Sequence, residues 1–194
     1  MILAAGLGTR MRPLTDHTPK PLIKAAGQPL IQYHIDSLVT AGIKHIVINA
    51  SWLGQQISDY IDHNQPSEGH IQVVHEASPL ETAGGIINVL PLLHTPSSPY
   101  FIVINGDVWT DYNYRELIDI ADTLPDSTLA HLVMVKNPPQ HPEGDFHLLE
   151  NGLLSDESPT NQVASEKLTF SGISLLSARL FDQCKPGKQP LAPL

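Results

Sequence analysis

Two glycines and two cations lie close together near the start of the chain. The stretch reads Leu3-Ala4-Ala5-Gly6-Leu7-Gly8-Thr9-Arg10-Met11-Arg12-Pro13-Leu14-Thr15 and closes on Pro19-Lys20-Pro21-Leu22. Glycines just past an apolar run let backbone N–H groups approach an anion closely. Arg10 can give a phosphate two parallel hydrogen bonds, and Lys20 adds a compact positive charge. The spacing excludes a Walker A loop, and Met11 stands where the third glycine of a dinucleotide fingerprint belongs. Glycines alone would equally suit a strand-to-loop turn with solvated cations. Glycines, both cations and flanking prolines together point to bound phosphate.

A second candidate is Ile102-Val103-Ile104-Asn105-Gly106-Asp107, an apolar strand ending in a small turn and a carboxylate. Such an aspartate is often a plain turn residue. It is also a hard oxygen ligand of the kind Mg²⁺ takes, few carboxylates being completed by phosphate oxygens. Glu76 to Ile86, E-A-S-P-L-E-T-A-G-G-I, reads as a polar loop entering a helix, with Thr82 a competent N-cap. Gly144-Asp145-Phe146 and Phe170-Ser171-Gly172-Ile173 read on their own as structural turns. The ten histidines show no H-E-x-x-H, no serine sits in G-x-S-x-G, and Cys184 reads as a bystander.

The first loop resembles the signature of the sugar-1-phosphate nucleotidyltransferases, L-A-A-G-x-G-T-R-x-x-P-L-T followed by P-K-P-L, and meets every fixed position. The resemblance implies an enzyme that joins a nucleoside triphosphate to a sugar-1-phosphate, releasing pyrophosphate. It implies that the loop wraps the triphosphate through Ala4, Ala5, Gly6, Gly8 and Thr9, with Arg10 and Lys20 stabilising its charge. Asp107 matches the family's metal-holding aspartate, which makes Mg²⁺ the implied cofactor, and Asn105 would lie beside the ribose or phosphates. An amide at Gly84 or Gly85 would read a pyrimidine carbonyl. Glu76, where relatives carry glutamine, would accept the pyrimidine N3–H, which favours uracil or thymine. Asp145, Ser171 and Gly172 would border the sugar phosphate.

Further segments go beyond what the broad family shares: Trp52 to Ile57, Pro79 to Thr82, Asn105 to Tyr112, Gly144 to Phe146 and Leu168 to Ser174. They resemble members that transfer a uridylyl group from UTP to N-acetylmuramate-1-phosphate in peptidoglycan recycling. Thymidylyl or guanylyl transfer to glucose- or mannose-1-phosphate is the alternative, as is a catalytically silent nucleotide-binding relative with a regulatory role. Relatives continue beyond the point matching Leu194 with a W-x-D-V-G-T segment, whose aspartate is a second metal ligand. No residue here fills that role by motif. The chain therefore reads as a fragment, one nucleotidyltransferase domain over 1–194 lacking the family's C-terminal segment.

These residues need a frame, and the hydrophobic periodicity supplies one. Apolar runs at Met1 to Ala5, Ile43 to Ala50, Ile71 to His75, Tyr100 to Ile104 and Leu129 to Val135 read as strands. Between them, Pro29 to Ala41, Leu53 to His63, Thr82 to Leu93 and Tyr114 to Ala121 read as helices. Leu30, Ile31, His34, Ile35 and Leu38 share one helix face, and Gly42 stands at a C-terminal cap. Strands alternating with helices imply βαβ units and a parallel sheet covered on both faces, with ligands beyond the strands' carboxyl ends. With the resemblance, the fold expected is α/β: a three-layer, Rossmann-like sandwich with a mostly parallel, mixed central sheet. After Asn137 the pattern loosens: three prolines by Gly144, a hairpin candidate turning at Asn151-Gly152, a polar loop over 155–166, and a strand over Leu168 to Leu176.

Composition narrows the partners. The 194 residues carry a net charge of −9. That opposes a nucleic-acid-binding face. Yet Arg10, Arg12, Lys20 and Lys24 place four of the eleven basic residues in one short stretch, so a local anion pocket remains open. No apolar run is long enough to span a bilayer, and the first residues do not read as a signal peptide. One cysteine and no leader make the cytoplasm the expected location. The expected partners are small molecules, UTP and a sugar-1-phosphate.

Overall fold

The computed structural model describes residues 1–95, 98–157 and 167–194. Its main sheet uses β1 (Ile2–Ala4), β4 (His45–Ala50), β5 (His70–His75), β6 (Tyr100–Asn105), β7 (Ala130–Val135), β8 (Phe146–Leu148), β9 (Leu154–Ser155) and β10 (Lys167–Ser177). A two-stranded ribbon of β2 (Lys24–Ala25) and β3 (Gln28–Pro29) stands apart. The sheet order is β5-β4-β1-β6-β10-β8-β9, with β7 also on β10. Strands β5, β4, β1 and β6 are mutually parallel. Beyond β6 every pairing is antiparallel. The parallel pattern thus holds for the first four strands and the sheet as a whole is mixed.

Among the described residues, four α-helices connect the strands: α1 (Leu30–Thr40), α2 (Gly54–His63), α3 (Glu81–Val89) and α4 (Arg115–Ala121). Strand alternation decides which helix packs where. Ile46, Ile48, Ile102 and Ile104 point to a core shared with Ile31, Ile35 and Leu38 of α1, Ile57 and Ile61 of α2, and Leu117 of α4. Val47, Phe101 and Val103 point the other way, onto Ala83, Ile86 and Val89 of α3 and onto Phe181. Each fully buried aliphatic side chain contributes about 1.5–3 kcal/mol of transfer free energy, so the two apolar faces drive the three-layer arrangement. The expected α1 face is buried at Ile31, His34, Ile35 and Leu38, and the chain leaves the helix through Gly42 at φ 94°. A bond from Ile43 N–H to the Leu38 carbonyl closes that end.

Two local features differ from expectation. α3 begins at Glu81, and no side chain caps it. The N-cap position is Leu80, two residues before Thr82, and its N–H donates to Glu76 Oε2. The β2–β3 ribbon, unexpected from periodicity, turns on Ala26 and Gly27, both at positive φ, in the manner of a tight hairpin. The hairpin of β8 and β9 turns at Gly152 as expected, with φ 81°. The polar loop over 155–166 falls largely outside the described residues.

Candidate active site

The carboxyl ends of β1, β4, β5 and β6 converge on a cavity of about 270 Å³. Its phosphate-type wall is the loop after β1. Ala4, Ala5, Gly6 and Gly8 line it. Gly8 sits at φ 64°, and a Cβ there would meet Thr15 Cγ2 at 2.8 Å. Thr15 is buried and donates from Oγ1 to the Gly8 carbonyl at 2.8 Å, folding the loop on itself. The indole of Trp52 reaches from the turn after β4 to bond the Thr15 carbonyl at 3.1 Å. Thr9 and Arg10 follow in a single 3₁₀ turn. Both are exposed and off the cavity wall, and Arg10 makes no ion pair among the described residues. The guanidinium is therefore free to reach an anion at the cavity mouth.

Lys20 and Asp107 meet on the opposite wall. Lys20 leads a second 3₁₀ turn between Pro19 and the buried Pro21, which holds its backbone in place. Asp107 follows β6 through Gly106, whose N–H donates to the Leu3 carbonyl at 2.9 Å. A Cβ on Gly106 would lie 2.9 Å from that same oxygen, so glycine lets the turn close onto β1. Lys20 Nζ lies 2.6 Å from Asp107 Oδ2, with both side chains partly buried. Behind them His34 of α1 is buried against Tyr114, Nδ1 to Oη 2.9 Å. Burial holds the His34 imidazole below its usual pKa, although nearby Asp107 pulls the other way. Burial pushes the Tyr114 phenol up.

Asn105 also lines the cavity. Gly172 supports it from β10, at φ 84°, where a Cβ would lie 2.7 Å from Asn105 Nδ2. This explains the register irregularity between Phe170 and Ser174. Gly172 thus serves the cavity through Asn105 and does not line it. Asp145 and Ser171 are off the wall as well. Asp145 accepts from the Phe170 N–H at 2.7 Å and pairs with His141 Nε2 at 3.0 Å, so it anchors the start of β10.

The far end of the cavity is the expected base region, and here one assignment is corrected. Gly84 does not face the cavity. Its N–H donates to the Gln189 carbonyl at 3.1 Å, and a Cβ there would stand 2.3 Å from the Gly187 carbonyl oxygen. Its glycine is needed so that the segment 187–189 can lie across α3. Glu76 does line the cavity, and each of its oxygens already accepts one hydrogen bond. Oε1 accepts from Asn49 Nδ2 at 2.7 Å and Oε2 from the Leu80 N–H at 3.0 Å. Asn49, Leu80, Glu81 and Thr82 also line this end. Asn49 was not singled out from the sequence; its one signal is a polar amide inside the apolar run of β4. Glu81 stands at φ 61°, a strained position for a residue with a side chain, and pairs with Lys188 at 3.3 Å.

The donor set for a cation is small. Among the described residues no cluster of three or more His, Cys, Asp or Glu could hold a metal. One carboxylate, Asp107, together with ligand oxygens suits a hard divalent cation better than a soft one. The arrangement can hold an elongated polyanion, with cations and backbone amides near one end and a polar, partly apolar slot at the other.

Comparison with known proteins agrees with this layout. The family model described as nucleotidyl transferase matches residues 1–150. The chain is 45% identical over 196 residues to an N-acetylmuramate alpha-1-phosphate uridylyltransferase of Neisseria meningitidis serogroup B, covering 100% of this chain and 82% of that protein. It is 34% identical over 119 residues to the mannose-1-phosphate guanylyltransferase catalytic subunit beta of Xenopus tropicalis, where it spans 61% of this chain and 33% of that one. Among solved structures, HddC from Yersinia pseudotuberculosis in complex with GMP-PN superposes with a TM-score of 0.77 at 23% identity, covering 97% of this chain and 80% of that one. The likeness to HddC speaks to fold alone. The glycine-bearing loop after β1, the Asp107 turn and the family match over most of the chain lead to one statement: this chain belongs to the nucleotidyl transferase family.

Proposed function

We propose that the chain catalyses transfer of a uridylyl group from UTP to N-acetylmuramate-1-phosphate, forming UDP-N-acetylmuramate and pyrophosphate in the cytoplasm. The observation that carries this is the 45% identity over the whole chain to a protein of that activity, with the Lys20 and Asp107 side chains facing one cavity. In the proposed reaction a phosphate oxygen of the sugar-1-phosphate attacks the α-phosphorus in line and the bond to pyrophosphate breaks. No covalent protein intermediate is needed. The loop amides from Ala5 to Gly8 orient the triphosphate, and Arg10 closes on it from the exposed turn. Lys20 neutralises charge that builds on the leaving pyrophosphate. Asp107 would hold Mg²⁺, which would supply positive charge to offset that of the phosphates. Asn105 would hydrogen-bond the ribose or phosphates, and Asp145, Ser171 and Gly172 would act on the sugar side indirectly, Gly172 through Asn105 and Asp145 by holding the start of β10.

The test is direct binding and turnover. UTP should bind to purified protein by calorimetry, and Asp107→Ala or Lys20→Ala should lose pyrophosphate release while keeping the melting temperature near that of the parent. Near-normal turnover in either variant would sink the assignment.

A further inference from the structure

We propose that Asn49 and Glu76 form a direction-locked hydrogen-bond relay that positions the nucleotide-facing backbone and so sets the affinity for the nucleotide. The proposal rests on the nucleotidyltransferase reading and deepens its base end.

Two backbone donors set the direction of the relay. The Ala4 N–H can only donate, and it meets Asn49 Oδ1 at 3.0 Å. The amide nitrogen of Asn49 must then face away from β1, and it donates to Glu76 Oε1 at 2.7 Å. The Leu80 N–H, again only a donor, meets Glu76 Oε2 at 3.0 Å. Between two fixed donors the relay needs one side chain that passes a hydrogen bond on and one that only accepts. Asparagine at 49 and a carboxylate at 76 meet that need.

The relay is buried and costly to disturb. Glu76 and Asn49 are nearly inaccessible, and no cation pairs with Glu76 among the described residues. A buried carboxylate is tolerated only where hydrogen bonds satisfy it. Glycine at 85 makes the room, since a Cβ there would lie 2.8 Å from both Asn49 Nδ2 and Glu76 Oε1. Ala4, Asn49, Glu76 and Leu80 all line the cavity, so the relay ties its phosphate-side strand to its base-side turn. A shift in the relay moves both walls that a nucleotide would touch.

The chemistry predicts a specific swap. Glu76→Gln leaves two donors, Asn49 Nδ2 and Leu80 N–H, competing for one amide oxygen. Asn49→Asp sets two carboxylates face to face at a 2.7 Å contact. The double variant Asn49→Asp/Glu76→Gln restores every donor–acceptor match: Ala4 N–H to Asp, Gln amide to Asp, and Leu80 N–H to the Gln oxygen. The experiment measures UTP affinity by calorimetry, KM and kcat for UTP, and thermal unfolding in all four proteins. Each single variant should weaken UTP binding by about tenfold or more, through KM with kcat changed far less, and the double should return to within about threefold of the parent. Gly85→Ala should mimic the single variants. A double variant as impaired as the worse single one overturns the relay. So do single variants that melt earlier yet bind UTP like the parent, because the pair is then structural only. If the parent protein binds no triphosphate, the nucleotidyltransferase reading itself falls and the proposal with it. That outcome is separable, because it is read before any variant is made.

Discussion

Lys20 and Asp107 are both assigned to the reaction, yet here they hold each other. The 2.6 Å contact between Nζ and Oδ2 means that a divalent cation arriving alone must displace an ammonium to reach its carboxylate. Side-chain exposures of 22% and 34% place the pair between a surface and a buried ion pair. A charge-assisted hydrogen bond contributes about 1.5–3 kcal/mol, and partial solvent screening favours the low end. Each 1.4 kcal/mol is about tenfold in an equilibrium constant, so the pair should weaken free-metal binding by about tenfold. The perturbation is Lys20→Met, which keeps the side-chain length and removes the charge. Mn²⁺ can be titrated into protein without nucleotide and its free fraction read by electron paramagnetic resonance. Lys20→Met should bind Mn²⁺ about tenfold more tightly than the parent, while Asp107→Asn should bind it weakly in either background. A non-hydrolysable UTP analogue should raise the parent's affinity for Mn²⁺, because the phosphates draw Lys20 away and add oxygen ligands. Equal Mn²⁺ affinity in the parent and Lys20→Met would refute the competition and leave the ion pair without a role in metal entry.

Other expectations follow from single contacts. Arg10→Ala should leave unfolding unchanged, since the side chain is exposed and unpaired, while UTP affinity falls; calorimetry and thermal melts read both. Gly84→Ala places a Cβ 2.3 Å from the Gly187 carbonyl oxygen and should cost about 1–3 kcal/mol in urea unfolding by displacing the segment 187–189. His34 has a folded pKa held below its usual 6.5 by burial, so the unfolded chain binds the extra proton first as pH falls. Its contribution to stability is complete above about pH 6.5 and is lost progressively below that, on the way to the lower folded value. The loss of stability between neutral and mildly acidic pH should be shallower in His34→Phe than in the parent, as measured by denaturant midpoints.

Much of the frame was legible because it rests on local periodicity. The α1 face at Ile31, Ile35 and Leu38 and the Gly42 cap follow from spacing and from the one residue type that accepts a left-handed exit. That Gly6, Gly8, Lys20 and Asp107 would share one cavity was legible because they stand in a recognisable motif beyond strand ends. The base side was not. The Gly84 N–H finds its partner at Gln189 across more than a hundred residues, and no local pattern announces that bond. Glu76 looked like a free acceptor because its donors, Asn49 and the Leu80 amide, come from elsewhere in the cavity wall. The mixed character of the sheet followed from the resemblance and not from periodicity, because the run of β7 reads the same whichever way its neighbour points.

Substrate choice is the central claim, and one experiment bears on it most directly. Pyrophosphate release should be measured for the protein with the four common nucleoside triphosphates crossed against N-acetylmuramate-1-phosphate, glucose-1-phosphate and mannose-1-phosphate, with Mg²⁺ present. The account predicts turnover with UTP and N-acetylmuramate-1-phosphate well above every other combination. Faster turnover with GTP and mannose-1-phosphate, or with TTP and glucose-1-phosphate, would contradict it.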